Sequence, residues 1–136
     1  MKKPVSVLLA TLSICFFSAC TSDDDKTVGP VQPNHATILF EEPTADTTIT
    51  GGQQLPILGT ISSLKGIKGY KIIVRRKTDQ AELMVKNFAD TDTLVGFAQS
   101  WENDLPAAAA MEVEVVANLD ENGNTTSEKR NFQATP

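Results

Sequence analysis

The chain has 136 residues with 12 basic and 17 acidic side chains, a net charge of −5, one histidine and two cysteines. That acidity excludes nucleic acid as a partner, because tracking a phosphate backbone needs a clustered basic surface. The length bounds the chain at one ordinary domain with appendages.

The first element is a leader. Met1-Lys2-Lys3 is followed by an apolar stretch from about Val5 to Phe17 and then by Ser18-Ala19-Cys20. Positive residues, a short apolar run and small residues before a cut are the order of a secretory signal. The run is too short to cross a bilayer, which needs about 20 residues. Phe17-Ser18-Ala19-Cys20 resembles the lipobox of bacterial lipoproteins, with Phe17 where that pattern usually has leucine. The resemblance implies that residues 1–19 are removed, that Cys20 is the lipid attachment site, and that the lipid anchors the protein to a membrane. Cys15 leaves with the leader, so the mature chain holds no cysteine pair and no disulfide. Next, Ser22-Asp23-Asp24-Asp25 resembles the acidic export signal of Bacteroidetes lipoproteins. It implies an outer-membrane lipoprotein exposed at the cell surface.

Residues 20–35 read as a flexible acidic tether. The stretch is Asp-rich, then carries Gly29, Pro30 and Pro33, and shows no apolar periodicity, a composition that does not build a core.

From Ala36 the pattern changes to short β-like runs separated by turn residues. Strands are predicted at 37–40, at the polar, β-branched 44–50, and at 53–61, where Leu55, Ile57, Gly59 and Ile61 share one face. Pro56 inside that last run argues for an edge or a bulge. The strongest run is 67–77, with Tyr70, Ile72 and Val74 inward; runs at 81–88 and 90–98 follow. Residues 100–110 read as a long connection carrying Trp101 and Leu105-Pro106. Residues 111–119 alternate cleanly, Asn122-Gly123 marks a hairpin, and a last strand is predicted at 125–132.

Two segments carry a second likeness. Ile67 to Arg75 resembles strand C of fibronectin type III and related Ig-like domains. Leu105-Pro106 followed by Met111 to Asn118 and Asp120 to Asn124 resembles their E–F connection and F–G hairpin. The implied fold is all-β, an antiparallel Ig-like (fibronectin type III-like) β-sandwich of 7–8 strands over residues 36–136. Such modules are adhesive, spacer or binding units, and the fold by itself names no ligand.

No catalytic residue set is expected. His35 is the only histidine and lies at the junction of tether and domain, so no Ser-His-Asp or Cys-His arrangement can form. No cofactor is expected, and no metal. Asp120, Asn122 and Asn124 repeat part of a calcium-loop spacing, but the glycine and the terminal glutamate of that pattern are misplaced, which leaves an Asx-rich hairpin.

A basic cluster at Lys65, Lys68, Lys71, Arg75, Arg76 and Lys77 is the main charge asymmetry. Alternation sends Lys71, Ile73 and Arg75 to the outer face, beside the outward Glu112, Glu114 and Val116 of the neighbouring strand. Lys71 and Arg75 are expected to pair with Glu112 and Glu114; alternatively the same six residues form a binding face, with Ile73 and Val116 as its apolar centre. Trp101 is expected either to plug the core or, exposed, to be an aromatic contact for a sugar ring. The functional expectation is a non-catalytic cell-envelope module for protein interaction or adhesion, with a glycan-binding accessory role as the alternative.

Overall fold

The computed structural model describes residues 32–136. The leader, Cys20 and the Ser22, Asp23, Asp24, Asp25 run lie outside the described residues. Eight strands follow in order: β1 (Ala36–Glu42), β2 (Thr48–Ile49), β3 (Gln54–Ser63), β4 (Tyr70–Arg76), β5 (Glu82–Phe88), β6 (Leu94–Glu102), β7 (Ala109–Asn118) and β8 (Thr125–Ala134). No helix occurs among the described residues.

The strands form two sheets, β1-β3-β6 and β2-β8-β7-β4-β5. All ladders are antiparallel except the short β2–β8 pairing. Consecutive strands repeatedly change sheets, as in an Ig-like sandwich, and this is the expected fold. The inward side chains follow from strand periodicity, in which alternate residues face one layer. Leu55, Ile57 and Ile61 of β3 meet Ile72 and Val74 of β4 and Met111, Val113 and Val115 of β7, all at 1% exposure or less. Burial on this scale contributes about 1.5–3 kcal/mol per aliphatic side chain and is the main force holding the two layers together.

The core is also where the aromatic rings go. Tyr70 stacks on Phe88 with centroids 4.5 Å apart, and Phe97 meets Phe40 edge-on at 5.6 Å. Trp101 packs against Phe132 at 5.8 Å. Burial raises the Tyr70 phenol above its ordinary pKa, with the charge of Asp90 adding to the shift.

Three sequence expectations need correction. β6 runs on to Glu102, so Trp101 is a strand residue opposite Leu55 and not part of a connection. β3 is the central strand of its sheet despite Pro56. The β1 ladder stops at Leu58, so the Pro56 ring lies past its end, where a missing N–H forfeits no ladder bond. The domain also takes in residues before Ala36. Asn34 donates from Nδ2 to the carbonyls of Gly66 (2.7 Å) and Leu119 (3.1 Å), and its Oδ1 accepts from the Lys65 N–H.

Candidate functional site

On the outer face of the larger sheet, register decides which charges meet. Arg75 lies opposite Glu112, Ile73 opposite Glu114 and Lys71 opposite Val116. The long guanidinium spans one position. Arg75 Nη1 donates to Glu114 Oε2 at 2.6 Å and to Glu112 Oε1 at 3.4 Å, while Nη2 donates to Glu82 Oε1 at 3.3 Å. Lys129, opposite Glu114 on β8, reaches Glu112 Oε1 at 3.0 Å. The Arg75, Glu112 and Glu114 side chains are only 12–13% exposed. Burial alone would lower the Arg75 pKa, but hydrogen bonds and charge from Glu114, Glu82 and Glu112 hold it above its ordinary value.

The expected cross-strand pairing is therefore present for Arg75 with both glutamates, but Lys129 rather than Lys71 supplies the second cation. Ile73 and Val116, expected as the apolar centre of a binding face, are buried at 3% and 9% exposure. Each sits opposite a long side chain, Glu114 and Lys71 respectively, whose stem can cover apolar surface. The site residues are together, but as a closed ion-pair network with its apolar pair covered.

Three more members of the basic cluster, Arg76, Lys68 and Lys65, are also engaged. Arg76 makes a two-pronged contact with Asp79, Nε to Oδ1 at 2.9 Å and Nη2 to Oδ2 at 2.8 Å. Hydrogen bonding to Arg76 and to the Ala81 N–H holds the Asp79 carboxyl below its usual range. Lys68 pairs with Glu121 at 3.2 Å, and Lys65 Nζ donates to the Gln32 carbonyl at 2.6 Å. Beside the Arg76–Asp79 pair, an open cleft of about 330 Å³ is lined by Thr78 and by the Pro106–Ala109 turn. Its only charged groups already satisfy each other.

Trp101 is 6% exposed. The aromatic-contact reading of Trp101 is thereby corrected: the indole fills the core. All six aromatic residues of the described domain belong to the core or pack against it. Next to Trp101 is a residue that sequence reasoning missed. Asn103 is 1% exposed and every polar group it carries is bonded. Its N–H donates to Gln53 O, its carbonyl accepts from Gly52 N, Nδ2 donates to Thr135 O at 2.7 Å, and Oδ1 accepts from Leu105 N. An asparagine two residues after the core tryptophan, just past the strand end at Glu102, is the available signal.

In the β7–β8 hairpin, Asp120 Oδ1 accepts from the N–H groups of Asn122 (2.9 Å) and Asn124 (3.2 Å), and Oδ2 accepts from Asn124 Nδ2 at 2.6 Å. These bonds, that of the Asn124 side chain foremost, hold the Asp120 carboxyl below its ordinary pKa. The carboxylate is committed to the turn, which is the Asx-hairpin reading. Among the described residues, no group of three or more acidic, histidine or cysteine side chains is placed to hold a metal ion.

The smaller sheet presents a different surface. Its outward side chains include Leu39 at 59% exposure and Leu94 at 67%, with the small, exposed Gly96, Ala98 and Ser100 between Leu94 and Glu102. No charged side chain lies on β6 before Glu102.

Among solved structures the chain is similar to murine CRIg, at 15% identity and a TM-score of 0.43, over 74% of this chain and 97% of that one. No family model and no curated protein matches the chain.

Proposed function

We propose that the chain is a non-catalytic lipoprotein of the cell envelope, held to the outer membrane by lipid on Cys20 and displayed at the surface. Its sandwich is a protein-interaction or adhesion module. The contact surface is the outer side of the β1-β3-β6 sheet around Leu39 and Leu94, which carries Glu102 at its far end. The observation that carries this reading is the contrast between the two outer faces. On the larger sheet, Arg75, Lys129, Glu112 and Glu114 satisfy one another, and Ile73 and Val116 are buried. On the smaller sheet Leu39 and Leu94 stay 59% and 67% exposed, and no charge lies on β6 from Leu94 to Ser100. The exposed apolar side chains of the larger sheet, Leu83 and Val85, are 37% and 45% exposed and lie on β5 between Glu82 and Lys86. A glycan-binding role would have to do without ring stacking, because the aromatic residues of the domain face the core.

The anchor is tested by metabolic labelling with a fatty-acid analogue and by fractionation of cells. The parent chain is expected to carry the label and to sediment with membranes. The Cys20→Ser chain is expected to lose both properties. Label retained by Cys20→Ser would overturn the assignment of the lipid to this residue. Surface display is read from the same cells by added protease, which digests a displayed domain in intact cells and spares a periplasmic one.

A further inference from the structure

Sheet edges expose rows of unpaired backbone groups, and folded proteins blunt them with charge, proline, bulges or short length. Three of the four edges here are treated in this way. β1 is broken by a bulge between Phe40 and Glu42 and carries two glutamates at its end. β2 is two residues long. β5 meets a register shift at Arg75 and carries Glu82 and Lys86. β6 has none of these devices. Its nine residues, Leu94 to Glu102, contain no proline and one charge, at the last position.

The ladder fixes which β6 backbone groups are free. Ser63 N–H donates to Thr93 O and Asn103 N–H donates to Gln53 O, in the same register that runs the length of β3 and β6. Hydrogen-bonded pairs alternate along an antiparallel ladder. The odd-numbered residues of β6 therefore bond to β3. The N–H and C=O groups of Leu94, Gly96, Ala98, Ser100 and Glu102 point to the open edge. Among the described residues only the Ala98 carbonyl has a partner there, Gln99 Nε2 at 2.6 Å, with Gln99 Oε1 in turn accepting from Lys86 Nζ of β5 at 2.8 Å. The second lone pair of the carbonyl stays free. The side chains at Gly96, Ala98 and Ser100 are too small to shield the edge.

We propose that the open edge of β6 pairs with β6 of a second copy of this chain, antiparallel, about a two-fold axis at Ala98. This deepens the interaction-module reading by naming the partner, and it rests on that reading only for the surface, not for the lipid. The register is self-complementary. With Ala98 opposite Ala98, Gly96 faces Ser100 and Leu94 faces Glu102, so every free edge residue finds a free edge residue and about ten interchain hydrogen bonds can form. The two three-stranded sheets become one of six. Such an isologous contact closes on itself and leaves no new edge of this kind. Charge permits the same place. β6 carries no acidic side chain from Leu94 to Ser100, and the ammonium of Lys86 beside it on β5 is held by Gln99 Oε1, so an acidic chain meets little repulsion from its own copy there.

The test uses the full chain extracted in mild detergent. Directly opposed strand residues have Cα atoms about 5.5 Å apart, within the range that a disulfide spans. Under mild oxidation Ala98→Cys is expected to give a covalent homodimer at least tenfold above the parent chain run alongside it. Lys71→Cys, on the outer face of the other sheet, is expected to stay at background. In sedimentation the parent shifts from monomer to dimer with concentration, whereas Ala98→Lys, which sets two like charges face to face, stays monomeric. Unchanged Trp101 emission in Ala98→Lys shows that the fold is kept. Equal cross-linking at 98 and 71, or undiminished dimer from Ala98→Lys, overturns the proposal. A mixed disulfide from Ala98→Cys to a different protein overturns the second copy as occupant. These readouts do not depend on the anchor, so a Cys20→Ser chain that dimerises while still retaining membrane label would sink the anchor reading alone.

Discussion

Arg75 Nη1 and Glu114 Oε2 lie 2.6 Å apart on the outer face of the larger sheet, each side chain about one-eighth exposed. Charge-assisted bonds of this kind exceed neutral ones, and removing one member strands the others. Arg75→Ala leaves Glu112 and Glu114 sharing Lys129 alone and is expected to destabilise the domain by about 2 kcal/mol in urea unfolding. Arg75→Lys is expected to recover less than half, because an ammonium cannot reach three carboxylates from one fork. A loss below about 0.5 kcal/mol for Arg75→Ala would place the cluster among ordinary surface pairs.

Asn103 joins the end of β6 to the β2–β3 turn and, through Thr135, to the C-terminal end of β8. Asn103→Ala removes both side-chain bonds and leaves the Leu105 N–H and the Thr135 carbonyl without these partners. The expected loss is about 2 kcal/mol, with the urea m-value unchanged. A loss near zero would show that water replaces the amide at both positions.

Gly59 and Gly96 are opposed cases on adjacent strands. A Cβ at Gly59 would overlap the Leu39 carbonyl oxygen and the Phe97 ring, whereas a Cβ at Gly96 meets nothing within 4 Å. Gly59→Ala is expected to lower the midpoint of thermal unfolding clearly, by overpacking worth about 1–3 kcal/mol. Gly96→Ala is expected to leave that midpoint unchanged or slightly raised. Equal effects at the two positions would contradict the packing described around Phe97.

Acid should loosen the β7–β8 hairpin. Asp120 has a folded pKa below its unfolded value of about 3.9. Its contribution is therefore fully present above that unfolded value and is lost as pH falls through the folded one. The Asn122 and Asn124 amide resonances are expected to shift together in that acid window, and Asp120→Asn is expected to abolish the shared titration. Independent titration of the two amides would show that they do not share the carboxylate.

The strands were legible where alternation was strict. Residues 55–61 and 111–119 could face only one way, because a one-residue slip would turn Ile57 or Val113 to water. What was not legible depended on contacts between strands distant in sequence. Pro56 looked like an edge signal because nothing local reveals that β1 stops pairing at Leu58. Trp101 reads as part of a connection because Gln99 interrupts the apolar series from Val95 and Phe97. Alternation brings Arg75 to both glutamates, but the second cation is Lys129, whose position depends on the β7–β8 register. The openness of β6 was not readable at all. An edge is defined by the strand that is missing beside it.

The central claim is that contact is made through the β1-β3-β6 side, where β6 is free of charge from Leu94 to Ser100, and not through the charged face of the larger sheet. Its most direct test is a photo-reactive residue placed in the full chain in its own membrane, at Leu94 in one strain and at Lys71 in another. The account predicts cross-linked polypeptide from position 94 and none above background from position 71. Products from position 71 with none from position 94 would contradict it.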